Sequence, residues 1–180
     1  ISACLVGSEM CIRDRLRQAS LPGSASRKRR NNVGQDMRSA IDIRHIENDA
    51  DLAASFPVMQ ELRPHLTDST AYVEQIKRQY AQGYRLLAAW CNASIVGLAG
   101  YRSLENTLYS RFVYVDDLVV TSTLHRSGIG ELLLQSARQQ AALLGCKNFV
   151  LDTGLHMALA QRFYFRQGLL ARGMHFVEAL

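Results

Sequence analysis

The spacing of apolar residues changes at definite points along residues 37–180, and each change marks an element. Ile41–Arg44 alternates apolar with polar, as a half-buried strand does. Asn48 or Asp49 can cap a helix that continues through Leu52, Phe56, Met59 and Leu62. Pro57 sits inside it and is expected to kink or restart it. Asp68 caps a second helix with Val73, Ile76 and Tyr80 on one face, and Gly83 ends it. Tyr84–Cys91 and Ser94–Tyr101 are β-rich runs around a hairpin turn at Asn92-Ala93. Glu105–Arg111 is polar and reads as a loop, and Phe112–Thr121 reads as a long strand. A helix begins near Gly128, carries Ile129, Leu133, Ala137, Ala141 and Leu144 at helical spacing, and closes at Gly145. Asn148–Asp152 is a short strand, Met157–Gln167 a helix stopped by Gly168, and Met174–Ala179 a last strand. Early hairpins and a late strand–helix–strand unit imply an α/β (α+β) fold, with helices packed on a mixed sheet.

Charge separates the chain into two parts. The net charge is +5, but residues 1–36 hold seven bases and three acids, which leaves only +1 for residues 37–180. The folded part therefore has no basic excess to suggest a nucleic-acid surface. No apolar run approaches the roughly 18 residues that a membrane span requires. Cys4, Cys11, Cys91 and Cys146 show no metal spacing. Cys91 and Cys146 sit in apolar contexts and read as reduced core thiols, which points to a cytoplasmic setting.

Residues 1–36 lack either period and have the composition of a disordered tail. Within them, Val6-Gly7-Ser8-Glu9-Met10-Cys11-Ile12-Arg13-Asp14 resembles the translation of a transposase adapter used in sequencing libraries. From that likeness the segment is expected to be an assembly artefact, with Met37 as the natural start. The rival readings are a signal peptide, for which Ile1–Val6 is too short, and a basic arm built on Arg27–Arg30.

The chemistry concentrates in Val115–Gly130, which reads strand, short loop, glycine-rich turn, helix. Gly128 and Gly130 flank the start of a helix whose first amides have no internal partner. Without side chains there, a phosphate can approach those amides, and the helix dipole favours it. The turn lacks the Lys-Ser/Thr of a P-loop and the three-glycine dinucleotide fingerprint. By itself it is equally compatible with tight helix–strand packing.

Two blocks in order narrow the choice. His125-Arg126-Ser127-Gly128-Ile129-Gly130 is similar to the cofactor motif Gln/Arg-x-x-Gly-x-Gly/Ala of the GNAT superfamily of N-acetyltransferases, with His125 in place of the first Gln or Arg. Ala160-Gln161-Arg162-Phe163-Tyr164-Phe165-Arg166-Gln167-Gly168-Leu169 resembles that family's Ala-x-x-Phe-Tyr-x-x-x-Gly-Phe helix. Met157 stands where many members have an Asn that contacts the cofactor arm. The resemblance implies a mixed, mostly antiparallel sheet of six to seven strands flanked by about four helices. It also implies an acetyl-CoA-dependent acyltransferase acting on an amine-bearing acceptor, without a metal, a membrane or a nucleic acid, and with a homodimer left open.

Carried over residue by residue, the resemblance implies that the main chain of Leu118, Val119 and Val120 pairs with the pantetheine arm. His125, Arg126, Ser127, Gly128, Ile129 and Gly130 would surround the pyrophosphate, with Arg126 able to supply the charge that His125 lacks. Tyr164 is implied as the general acid for the departing thiolate; the plain alternative is an aromatic on an amphipathic helix. Asp116 is implied as the acid that relays the amine proton through water, and Asp117 as a substrate-positioning or structural carboxylate. Neighbours on a strand point to opposite faces, so at most one of this pair faces a given cleft unless a bulge intervenes. His125, His156 and His175 show no metal spacing and read as lone surface or core histidines. Another acyl-CoA, a non-catalytic acyl-CoA-binding module, and nucleic-acid binding by the basic tail are the rival functions. For the tail, the expectation is that re-sequencing the locus from untagmented DNA interrupts the frame through Val6–Asp14. An uninterrupted natural frame there would overturn it.

Overall fold

Apolar residues at period two bury both faces of a five-stranded sheet in this computed structural model, which describes residues 40–180. The tail expected over residues 1–36, and the start at Met37, lie outside the described residues. The strands are β1 (Ile41–His45), β2 (Tyr84–Cys91), β3 (Ser94–Asn106), β4 (Ser110–Val120) and β5 (Asn148–Leu151), adjacent in that order. The first three pairings are antiparallel and β4 with β5 is parallel. The helices are α1 (Asp49–Leu62), α2 (Ser69–Ala81), α3 (Ile129–Leu143) and α4 (Ala158–Arg166), with a 3-10 turn at Ser122–Leu124.

Tyr84, Leu86, Ala88, Trp90 and Leu98 project to one face, where Leu52, Val58 and Met59 of α1 and Tyr72 and Ile76 of α2 meet them. Leu87, Ala89, Ala99, Val113 and Val115 project to the other, under Ile129, Leu133, Ala137 and Ala141 of α3. Asn48 and Asp68 cap α1 and α2 by accepting from the amides of Asp51 and Ala71, as their residue types predict. None of the helices is long and apolar enough to cross a membrane among the described residues.

Three expectations change. Pro57 does not restart the helix: α1 runs continuously from Asp49 to Leu62. Pro57 and Ala53 lie on the exposed face, so the carbonyl deprived of its donor meets water instead of protein. Glu105–Arg111 is mostly strand: β3 runs to Asn106 and β4 starts at Ser110. The Asn106 side chain accepts from the amides of Leu108 and Tyr109 and closes a tight turn. Polarity misleads here because two exposed hairpin arms bond through their main chains whatever their side chains are. Finally, Met174–Ala179 forms no strand, and the sheet has five strands where six to seven were expected. Its Met174 and Phe176 are exposed; strand propensity acts through a partner surface, and neither side chain is buried against one.

The irregularity that matters lies between β3 and β4. Gly100 pairs with Asp117 and Tyr101 with Val115, so Asp116 is an extra residue, a β-bulge. Gly100 itself makes room for Tyr84, whose ring crosses from β2 over β3 to reach β4. A Cβ at position 100 would lie 1.8 Å from the Tyr84 hydroxyl oxygen. No rotation of a methyl group relieves that overlap, so the ring must leave. Gly100→Ala is therefore expected to cost about 1–3 kcal/mol of stability, read as a lower urea midpoint with an unchanged slope. A midpoint equal to the wild type's would mean the ring does not occupy this channel.

Candidate active site

The bulge settles how the acidic pair is disposed. Val113 and Val115 face α3 before it, and Leu118 and Val120 face α3 after it. The extra residue thus reverses the parity, and both Asp116 and Asp117 turn to the α1/α2 face. Arg63, the residue capping the C-terminus of α1, donates from Nε and Nη2 to Asp117 Oδ1, at 3.1 and 2.7 Å, and from Nη2 to the Asp116 carbonyl. The Tyr84 hydroxyl donates to Asp117 Oδ2 at 2.8 Å. Arg102 Nε donates to Asp116 Oδ2 at 2.9 Å, and its guanidinium lies over the Tyr84 ring.

These contacts separate the two acids chemically. Asp117 gives both oxygens to protein, with 12% of its side chain exposed and 15% of Arg63's. Of the two roles implied for it, the contacts are those of the structural one. Breaking so enclosed a pair costs about 3–5 kcal/mol. Burial, and then the Asp117 charge, push the Tyr84 phenol well above its ordinary value, so it remains a donor. Asp116 is raised as well. Burial is the main cause; the Arg102 bond and charge oppose it, and neighbouring Asp117 adds to it. A raised carboxylate is a better proton acceptor.

Beyond the bulge, β4 outruns its partner. Pairing with β5 ends at Val115 opposite Leu151, while β4 continues to Val120. Thr121 N donates to Val96 O, so at period two Val119 also bonds toward β3. Leu118 and Val120 therefore turn their main-chain groups to the open side. Only these two of the three expected residues can meet an added chain there. Val119 is committed to β3 by the alternation, and its side chain packs against the α1/α2 core.

The turn after β4 is held from both sides. Glu61, in the last turn of α1, accepts from the Thr121 hydroxyl at 2.7 Å and from Ser122 N at 2.8 Å. Burial pushes this carboxyl up, but those hydrogen bonds and the nearby His125 outweigh it and leave it lowered. His125 Nε2 lies 2.9 Å from Val120 O, so its ring is spent on the strand end and not turned to the turn's amides. Arg126 and Gly128 have φ of 67° and 90°. A non-glycine residue costs about 1–2 kcal/mol in the left-handed region, so Arg126 stores strain in this loop. Gly128 is the N-terminal cap of α3 and makes no side-chain capping bond. At Gly130 a Cβ would stand 3.7 Å from both Val120 and Phe163, an ordinary contact. Alanine would thus fit at position 130, whereas the backbone itself demands glycine at 128.

Gly130 also locates α4. Phe163 reaches it, and Arg138 of α3 donates to the Gln167 carbonyl at the end of α4. Tyr164 follows Phe163, half-buried, its ring 5.3 Å from Phe163's. The structure thus gathers the end of β4, the start of α3 and the Tyr164 helix, and puts Asp116 and Asp117 on the opposite side of β4 from α3. The sequence reading missed Glu61, Arg63, Tyr84 and Arg102. A glycine inside a strand pattern signals a bulge or a close approach, so Gly100 was the available clue.

The comparisons with known proteins bear on the family and the fold. The profile of the "Acetyltransferase (GNAT) family" matches residues 46–169. An uncharacterised N-acetyltransferase, YhdJ, of Bacillus subtilis (strain 168) is 29% identical over 125 residues, 69% of this chain and 87% of that protein. The aminoglycoside N-acetyltransferase AAC(6')-Iy in complex with CoA superposes with a TM-score of 0.70 at 16% identity, covering 78% of this chain and 94% of its own. A ribosomal-protein-alanine N-acetyltransferase from Brucella melitensis biovar Abortus 2308 gives 0.68 at 17%, covering 78% and 99%. At these identities the two structures speak for the fold alone.

The turn yields a test that separates charge from backbone strain. Asparagine and aspartate tolerate the left-handed region about equally, but only aspartate puts a negative charge where phosphate oxygens would sit. Acetyl-CoA is expected to raise the melting temperature of the wild type and to have lost most of that effect in Gly128→Asp. Gly128→Asn should keep more of it. Equal shifts in all three proteins would reduce the turn to packing.

Proposed function

Because the chain belongs to the acetyltransferase (GNAT) family, we propose that its acceptor is a primary amine of a small molecule or protein that attacks acetyl-CoA directly. The protein is an acetyl-CoA-dependent acyltransferase, and its second substrate bears an amine. The observation that carries the site assignment is the open edge of β4: the main chain of Leu118 and the Val120 N–H face it beside the N-terminus of α3, while the Val120 carbonyl meets His125 and the Ile129 amide reaches Ser127 Oγ. An extended amide-bearing arm fits such an edge as an added strand does, and a pyrophosphate fits the helix start.

In this reading acetyl-CoA supplies an activated thioester, and the protein supplies position and protons. Leu118 and Val120 hold the arm. Arg126, Ser127, Gly128, Ile129 and Gly130 receive the phosphates, with His125 bracing the turn through Val120. Bringing amine and thioester into attack geometry contributes most of the rate. Tyr164 gives a proton or hydrogen bond to the departing sulfur. Asp116, raised by burial, orders the water that relays the amine proton, and Asp117 fixes Arg63 and Tyr84 beside it. Cys91 and Cys146 are free thiols, half-buried rather than buried as expected, and they support a cytoplasmic setting.

Thiol release from acetyl-CoA across a panel of primary amines tests the activity. A protein that binds acetyl-CoA and turns over none of them would be a binding module instead. With an active amine in hand, Tyr164→Phe is expected to lower kcat by about 10²–10⁴-fold with little change in acetyl-CoA affinity, the pattern of an interaction made in the transition state. Wild-type turnover in that variant, with chemistry rate-limiting, would return Tyr164 to the core.

A further inference from the structure

A third carboxylate stands where β4 and β5 part. Asp152 follows Leu151, the last residue of β5, which lies level with Val115 just before the bulge. Its Oδ2 accepts from the Tyr114 hydroxyl and lies 2.8 Å from His175 Nδ1. Tyr114 is the β4 partner of Arg102, whose guanidinium holds Asp116 on the same face. Through Tyr114, Asp152 and His175 are thus linked to the stretch of β4 that carries Asp116, where β5 leaves it. Their partners differ in kind. Asp116 and Asp117 answer fixed guanidinium charges, while Asp152 answers a phenol and an imidazole.

A carboxylate at Nδ1 requires the hydrogen of a neutral imidazole to sit there, which leaves the lone pair on Nε2. His175 is thus presented as a proton acceptor through Nε2. It is also reachable, with 35% of its side chain exposed against 11% for Asp116. Asp116 can order a relay water, but a proton left there is enclosed. We propose that His175, oriented by Asp152, is the terminal acceptor of the proton that an ammonium substrate must lose before it attacks.

This rests on the acetyl-transfer reading above. The step balances as follows. The Nε2 lone pair takes one proton from the ammonium, through water, and passes it to solvent. The freed amine forms its C–N bond to the thioester carbonyl carbon, the C–S bond breaks, and the amine's second proton ends on the departing sulfur by way of Tyr164. The net products are the amide, the free thiol and one released proton.

The experiment uses the full chain with acetyl-CoA at pH 7 and two amines as probes. Butylamine arrives protonated and needs the acceptor; methoxyamine arrives neutral and does not. His175→Gln is expected to lower kcat/KM for butylamine by about tenfold or more and to leave methoxyamine within about twofold, the loss falling on kcat. Asp152→Asn, which cannot hold the imidazole in the same way, should show the same selectivity in weaker form. Equal losses for both amines, no loss, or no butylamine turnover by a wild type that binds acetyl-CoA would overturn the proposal alone. The acetyl-CoA melting shift is the control. Its presence in the variants shows that they are folded and loaded, and its absence in the wild type would sink the acetyl-transfer reading and this proposal together.

Discussion

One extra residue in β4 determines most of what the site can do. Without the bulge at Asp116, strand alternation would send Asp116 and Asp117 to opposite faces. With it, both turn toward α1 and α2. The same insertion sets the parity of everything downstream. Leu118 and Val120 point their side chains into the α3 core, and their main-chain groups to the side that β5 has vacated. A strand that kept its register would present Val119 there instead. The position of the open edge and the placement of the acids are thus one structural event.

The bulge is held by contacts that cross the fold. The end of α1 grips β4 at two levels, Arg63 at Asp116 and Asp117 and Glu61 at Thr121 and Ser122. Tyr84 arrives from β2 through the space that Gly100 leaves. Unpaired in a half-buried strand, Asp116 and Asp117 would each carry a desolvation cost of several kcal/mol. Together they lock the segment between the two cores, and the strained turn at Arg126 and Gly128 is attached to that fixed end. A strained loop keeps its shape only when its surroundings over-determine it, and Glu61 and the His125–Val120 contact are those surroundings.

What the sequence made legible follows the range of the interactions. Element types came through because they depend on local period: the two caps, the hairpin at Asn92-Ala93 and the core face of α3 stand where expected. The glycine turn was readable because Gly128 must adopt a left-handed backbone. The partners of the acidic pair were not, since Arg63 is more than fifty residues from Asp117 and nothing local to either announces the other. Strand limits at Glu105–Arg111 failed because main-chain pairing ignores side-chain polarity. The last strand failed for the converse reason: Met174 and Phe176 have the right residue type, but both stay exposed and no pairing secures the segment among the described residues.

The electrostatics then say which charges remain for a substrate. Arg63 answers Asp117 and Arg102 answers Asp116, so two of the three carboxylates along the splay are neutralised by permanent cations. A cationic acceptor gains little from a carboxylate already paired. Among the described residues Asp152 has a phenol and an imidazole as its hydrogen-bond partners, so no guanidinium answers it at the end of β5. An approaching ammonium is then drawn to the place where a proton acceptor also stands. Once His175 takes the proton, the pair carries no net negative charge and the attraction for a second ammonium falls. One pair of residues would thus couple capture of the charged amine to its conversion into the neutral nucleophile that the thioester requires.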